Sequence, residues 1–192
     1  TTGRHLPLPP LTMETADDYS SGAAEFSLGG LSEEQAAVYD RQLRVWGVEA
    51  QKRLGGAKFL VAGLTGLASE ACKNVVLAGI GTMVLYDDGT PSAEAAPGNF
   101  LAGAGAADGA VSVAAATAAT LQEMNPFCKV EVVGPGGAGR GEFSGVNAAS
   151  LAGCDAVLVC GAPLAEAERI NDACREAGAA FFAADCRSSS AN

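Results

Sequence analysis

Short apolar runs alternate along the chain with segments in which apolar residues recur every three or four positions. The runs are rich in Val, Leu, Phe and Ala and are bounded by Gly, Asp or Asn, which is typical of buried strands. They predict five strands: 58–62, 82–86, 128–133, 156–161 and 179–185. Helical spacing falls between them at 68–78, near 107–124 and at 163–177. Strands that alternate with helices in this way predict an α/β fold with a doubly wound, mainly parallel sheet.

Two helices are predicted before the sheet. The first lies within 31–47, where Ser32 and Gln35 form a capping box and apolar residues recur on one face: Tyr39, Leu43 and Trp46. The second, 49–54, ends at Gly55-Gly56. Residues 1–30 are rich in Pro, Ser and Gly and have no period, so they are predicted to be a flexible tail. We expect one domain over 31–192, truncated at its C-terminus because the chain stops just after the fifth strand.

Charge narrows the possible partners. The net charge of -10 argues against nucleic acid, whose phosphates require a basic surface. Residues 31–75 carry six cations and five acids, whereas residues 76–192 carry five cations and thirteen acids. No apolar stretch approaches the length of a membrane span, and the first residues lack the apolar segment of a signal peptide. We therefore expect neither nucleic acid nor a membrane as a partner.

Six cysteines are present without a C-x-x-C pair, which argues against a structural zinc or thioredoxin-type site. No metal site is expected, and the cysteines are interpreted as reduced, mostly buried thiols of an intracellular protein. The one histidine, His5, lies in the predicted tail, so no cysteine has a neighbouring base. Cys186 follows the fifth strand and is interpreted as structural.

The segment FLVAGLTGLASEACKN (59–74) contains a degenerate nucleotide-binding turn. A strand precedes Gly63 and Gly66, a helix follows them, and Asp87 ends the next strand about 20 residues on, where a Rossmann-type fold places its ribose-binding acid. The third glycine of the G-x-G-x-x-G pattern is replaced by Ala68. The candidate cofactor-binding residues are therefore Gly63, Gly66 and Asp87.

The surrounding charge disfavours a nucleotide in this turn. No Lys or Arg occurs between Lys73 and Lys129, while five acids do: Asp87, Asp88, Glu94, Asp108 and Glu123. Sites that activate a triphosphate surround it with Arg, Lys and metal ions. We predict that this site is unoccupied, that the chain alone binds no ATP, and that it is inactive alone.

Arg41 differs from its neighbours on the first helix. Asp40 and Arg44 stand at i,i+4 and can pair, but no acid lies three or four residues from Arg41. The residues alone leave two interpretations equally open: a solvated surface arginine, or an arginine presented to an anion on another chain.

Four segments in one register, from about Leu31 to Arg187, resemble the small subunit of the SUMO-activating enzymes in the ThiF-like ubiquitin-activating superfamily. They are SEEQAAVYDRQLRVWGVEAQKRL, GLTGLASEACKNVVLAGIG, LYDD and FFAADCR. The resemblance implies a pseudo-symmetric heterodimer in the nucleus. Its large subunit binds ATP and Mg²⁺, adenylates SUMO and then holds it as a thioester, so this chain would meet SUMO only indirectly.

The resemblance also implies a catalytic role for Arg41 in trans. The family's small subunit completes its partner's ATP site with the arginine of a Tyr-Asp-Arg-Gln motif, which here begins at Tyr39. Active halves of the family carry Asn-x-x-Arg-Gln-Phe after the second strand, whereas this chain has Asn99 and Phe100 without the arginine. It also lacks the basic residues that relatives carry before the next helix. The glycine turn is therefore interpreted as a scaffold.

Several alternatives remain open. The regulatory subunit of the NEDD8-activating enzyme shares this style of first helix. An NAD-binding oxidoreductase would need a better glycine turn and a substrate domain. A bacterial-type sulfur-carrier adenylyltransferase is expected to show C-x-x-C zinc ligands and its own phosphate-binding arginines. The last alternative is an interaction module with no part in catalysis.

Overall fold

The computed structural model describes residues 30–87, 98–103, 111–133 and 143–186. The predicted tail, apart from Gly30, lies outside these residues, as do Asp88, Glu94 and Asp108. The helices are α1 (Glu33–Val38), α2 (Asp40–Gly56), α3 (Gly66–Ala78), α4 (Val113–Met124), α5 (Ala148–Leu151) and α6 (Leu164–Ala177). The strands are β1 (Lys58–Ala62), β2 (Thr82–Tyr86), β3 (Lys129–Val132), β4 (Ala156–Cys160) and β5 (Ala180–Ala184).

The five strands form one sheet in the order β3-β2-β1-β4-β5, and every pair is parallel. Leu60 of the central strand β1 stands opposite Val84 on one side and Val157 on the other. The chain runs outward from β1 to β3, crosses back to β4 and ends on β5, which is the topology of a doubly wound sheet. The predicted fold class is confirmed.

The core lies in two layers because side chains of buried strands alternate between the two faces of the sheet. Val61 belongs to a cluster with Leu64 and Leu121 on the face covered by α3 and α4. Leu60 belongs to the opposite cluster, where it joins Ile170 of α6. The central strands are therefore buried on both faces of the sheet, as their continuous apolar sequences predict.

The N-terminal helices differ in detail from the prediction. The capping box of Ser32 and Gln35 is confirmed, but α1 ends at Val38 because Tyr39 leaves helical geometry with φ −97° and ψ 12°. The Tyr39 ring is buried, and its hydroxyl accepts a hydrogen bond of 2.8 Å from Asn125 Nδ2. A second break at Gly47, with φ 79° and ψ 170°, separates the two helical parts of α2.

The two outermost strands, β3 and β5, are more exposed than the central ones, and Phe182 of β5 is 55% exposed. Residues 148–151 form one helical turn that the sequence analysis missed, although Asn147 and Ser150 carry the signal of a capping box. No helix among the described residues is long and apolar enough to cross a membrane.

Candidate functional site

The first glycine of the turn is required by the packing of the sheet. Gly63 follows β1 with φ +80°, and its amide donates to the Tyr86 carbonyl at 3.0 Å. A Cβ added at Gly63 would lie 2.1 Å from the Cys160 carbonyl oxygen at the end of β4. Any other residue would therefore push β1 and β4 apart, whether or not a nucleotide binds.

The second glycine starts α3 and lies against another part of the chain. A Cβ added at Gly66 would lie 3.0 Å from the Gly98 carbonyl oxygen. The helix is capped by Thr65, whose Oγ1 accepts a hydrogen bond from the Ala68 amide at 3.3 Å. In Rossmann-type folds, phosphate binds to the free amides at a helix N-terminus. Here the Thr65 hydroxyl already accepts a hydrogen bond from one of these amides, that of Ala68.

Asp87 lies beside the turn, as the spacing predicts. Its Oδ2 accepts a hydrogen bond of 2.7 Å from the amide of Leu64, which follows Gly63. The structure thus brings together the three residues predicted to bind a cofactor. In the described geometry the Asp87 carboxylate holds the backbone of the turn itself.

Asn99 connects the glycine turn to two neighbouring segments of the chain. Its Nδ2 donates to the Leu64 carbonyl (3.0 Å) and to Thr117 Oγ1 (3.2 Å). Its Oδ1 accepts from the amides of Leu101 (3.0 Å) and Ala102 (3.1 Å). Ala102 stands three residues after Asn99, where active halves of the resembled family carry their arginine, and it is buried. The asparagine of the family pattern is therefore used here as a structural connector.

The opposite end of α3 fixes the N-terminal helices. The carbonyls of its last three residues each accept a bond from a side chain of another segment: Val76 from Asn125 (2.7 Å), Leu77 from Gln42 (3.4 Å) and Ala78 from Gln51 (2.9 Å). Gly79 then ends the helix with φ +95°, where a Cβ would lie 2.7 Å from both Gln51 and Tyr39. Because Gln42 and Gln51 belong to α2, two of these three contacts hold α2 on the end of α3.

Arg41 projects from this fixed helix into solvent. Asp40 and Arg44 pair as predicted, at 3.0 and 3.1 Å, and the hydrogen bond from Arg44 lowers the pKa of Asp40. Arg41 is exposed and forms no hydrogen bond or ion pair with another described residue. Leu43 points inward, whereas Trp46 is half exposed and differs here from its predicted packing role.

Arg41 and the glycine turn lie at opposite ends of α3. Gln42, the next residue after Arg41, contacts Leu77 near the C-terminus of α3, whereas Gly66 begins that helix. A helix of 13 residues is about 20 Å long at 1.5 Å per residue. Arg41 therefore does not join Gly63, Gly66 and Asp87 in one site within this chain.

Comparison with known proteins gives the family of this chain and solved structures with the same fold. The model of the ThiF family matches residues 39–191. The chain belongs to the ThiF family. Two solved structures share its fold. One is E. coli tRNA N6-threonylcarbamoyladenosine dehydratase, TcdA, with a TM-score of 0.65 and 20% identity over 79% of this chain and 61% of that one. The other is PaaA, with a TM-score of 0.61 and 19% identity over 85% of this chain and 50% of that one.

Several curated relatives of this ThiF-family chain are named as forms of SUMO-activating enzyme subunit 1. The chain is 36% identical over 165 residues to SUMO-activating enzyme subunit 1A of Arabidopsis thaliana. The matched region covers 83% of the chain and 48% of the relative. The chain is also 41% identical over 104 residues to SUMO-activating enzyme subunit 1 of Homo sapiens. This matched region covers 54% of the chain and 30% of the relative. The predicted resemblance is confirmed, and the chain spans about half the length of the first of these relatives.

The cysteines of this ThiF-family chain are all free; five are buried and Cys186 is exposed. Burial raises the pKa of Cys72 to about 12 and also raises the pKa of Cys160. Such thiols remain protonated and are poor nucleophiles at neutral pH. Among the described residues, no group of His, Cys, Asp and Glu side chains is arranged to hold a metal ion.

Proposed function

We propose that this chain is the non-catalytic subunit of a heterodimeric SUMO-activating enzyme. It supports the ATP-dependent adenylation of SUMO, and its transfer to a thioester, by a large subunit that binds the ATP and Mg²⁺. Similarity to proteins named SUMO-activating enzyme subunit 1 supports this assignment. The same similarity motivates the proposal that the complex works in the nucleus.

Arg41 carries the proposal that this chain contributes directly to the reaction. Its guanidinium is exposed and unpaired among the described residues, on a helix fixed through Tyr39 and Gln42. A guanidinium in that setting can bind phosphate oxygens through two parallel hydrogen bonds. Because Arg41 lies near the end of α3 opposite to the chain's own glycine turn, its phosphate would be that of the partner's ATP. We therefore propose Arg41 as a catalytic residue in trans.

The glycine turn supports the non-catalytic part of the proposal. Thr65 caps the helix that would receive a phosphate, Asp87 bonds the turn, and Asn99 ties it to the following segment. These hydrogen bonds stabilise the turn without a nucleotide. For NAD to bind the turn, the same hydrogen bonds would have to break.

Co-expression with the large subunit of a SUMO-activating enzyme tests the assignment. We expect a stable heterodimer and ATP–pyrophosphate exchange in the presence of SUMO. Arg41→Ala should leave the heterodimer intact and slow exchange at least roughly tenfold, which corresponds to about 1.4 kcal/mol from one charge-assisted contact.

Arg44→Ala is the matched control, because Arg44 lies three residues after Arg41 on the same helix and already pairs with Asp40. An exposed pair of this kind contributes little, so exchange should hardly change. Equal losses in both variants, or none in Arg41→Ala, would contradict the role of Arg41. Assembly with the large subunit of a NEDD8-activating enzyme instead would contradict the choice of modifier.

A further inference from the structure

The helix that carries Arg41 is interrupted at Gly47. With φ 79° and ψ 170°, Gly47 divides α2 into a first part, 40–46, and a second part that runs to Gly56. A Cβ added at Gly47 would meet no atom within 4 Å, so only the left-handed φ favours glycine there. A residue with such angles interrupts the regular backbone geometry that keeps a helix straight. The direction of the first part therefore depends on contacts outside the helix itself.

The buried side chain of Gln51 joins the two parts of α2 across this break. Its Oε1 accepts a hydrogen bond of 2.9 Å from Nε1 of Trp46, the last residue of the first part. Its Nε2 donates to the carbonyl of Ala78 at the end of α3, also at 2.9 Å. Gln51 is 1% exposed, and a Cβ added at Gly79 would lie 2.7 Å from its Nε2. One closely packed amide therefore holds both the first part of α2 and the end of α3.

Two short hydrogen bonds fix the first part of α2 at its two ends. Tyr39, the residue before it, is bonded through its hydroxyl by Asn125 at 2.8 Å, and Trp46 is bonded to Gln51. Between them, the bond from Gln42 to α3 is 3.4 Å long, which is weak. Because two fixed points define an axis, the bond at Trp46 sets the direction of this part once its beginning is held.

We propose that Gln51 is a positioning residue for Arg41 in the reaction of the heterodimer. Gln51 is buried and acts on the guanidinium only through Trp46, whose bond sets the direction of the segment that carries Arg41. A small tilt of a helix moves the end of a long side chain, and a misplacement of about 1 Å can cost up to roughly a hundredfold in rate. This inference rests on the proposed function and deepens it, because it identifies what directs the arginine that acts in trans.

Trp46 is the only tryptophan of the chain, so its fluorescence reports on the bond to Gln51. Gln51→Met keeps an unbranched side chain and removes both hydrogen bonds. In the isolated chain, this variant should shift the emission of Trp46 to longer wavelength and increase its quenching by acrylamide, because the released indole turns toward water. An unchanged spectrum and unchanged quenching would overturn the role of Gln51 in holding Trp46.

A double-mutant cycle in the heterodimer separates positioning from stability. Trp46→Phe removes the indole N–H but keeps the bond between Gln51 and Ala78, and the fold should be retained because Trp46 is 44% exposed. Trp46→Phe and Gln51→Met should each slow ATP–pyrophosphate exchange at least roughly fivefold. In an Arg41→Ala background, the same substitutions should change the remaining exchange less than about twofold, because no guanidinium is left to position.

Arg44→Ala provides the matched background, because this arginine already pairs with Asp40 and both substitutions should keep their full effect there. An equal loss in all three backgrounds, or no loss in Trp46→Phe, would overturn the positioning role, while the exchange lost in Arg41→Ala would still support the proposed function. Unchanged exchange in Arg41→Ala would overturn the role of Arg41 and this inference with it. Absence of exchange in the unmodified heterodimer would overturn the proposed function itself.

Discussion

Removing the Asn99 side chain should destabilise the protein by about 3 kcal/mol. Asn99→Ala leaves the carbonyl of Leu64 and the amides of Leu101 and Ala102 without the bonds that they now form. Each buried backbone group left unpaired costs about 1 kcal/mol or more. Thr117 adds little to the total, because its hydroxyl can turn to a carbonyl of its own helix. A loss of this size is a large fraction of the roughly 5–15 kcal/mol that stabilises a typical domain.

Urea unfolding followed by circular dichroism measures this loss. With a slope of about 2 kcal/mol per molar urea, the midpoint should fall by roughly 1.5 M while the slope stays unchanged. Asn74→Ala is the matched control, because Asn74 is exposed on α3 and the same substitution there should be neutral or slightly stabilising. A loss below about 1 kcal/mol in Asn99→Ala would refute the reasoning, since water or a small shift would then be replacing the asparagine.

Three further predictions concern the isolated chain. Calorimetry of the isolated chain should detect no ATP binding, and binding at low micromolar affinity would contradict the interpretation of the closed turn as a scaffold. Ellman's reagent should react rapidly with Cys186 alone in the native protein and with all six thiols in denaturant. The unfolded Cys72 thiol ionises near its ordinary pKa of 9.0 and the folded one only near 12, so stability should fall as pH rises through that window. The fall should be smaller in Cys72→Ala, and an identical fall would contradict the assignment to Cys72.

The sheet could be predicted from the sequence because each strand is a short apolar run bounded by turn residues. β1 and β2 begin and end where the pattern places them, at Lys58–Ala62 and Thr82–Tyr86. Asp87 could also be placed beside the glycine turn, because parallel strands bring their carboxyl ends to one edge. Local signals of this kind need no knowledge of distant contacts.

The contacts that shape the candidate site could not be predicted in the same way. The first helix breaks at Tyr39, whose buried hydroxyl is bonded by Asn125, 86 residues away along the chain. Gln42 and Gln51 are polar residues on a helix, and only the tertiary structure shows that they bond the end of α3. Asn99 was noted as part of a motif, but its four bonds depend on how three separate segments meet.

Side chains hold α3 at both ends. Thr65 caps its N-terminus and Asn99 bonds Leu64 in the turn before it, whereas Gln42, Gln51 and Asn125 bond carbonyls at its far end. It therefore acts as a rigid connection between the glycine turn and α2, the helix whose direction sets where Arg41 points. The residues of the turn are therefore constrained by the position of α2 as well as by their own packing. We expect substitutions at Gly63 or Asn99 to tilt α3, which in the proposed heterodimer would move the Arg41 guanidinium away from the partner's ATP. In the proposed heterodimer such variants would lower activity through the position of Arg41 alone, while the partner's ATP-binding residues stay unchanged.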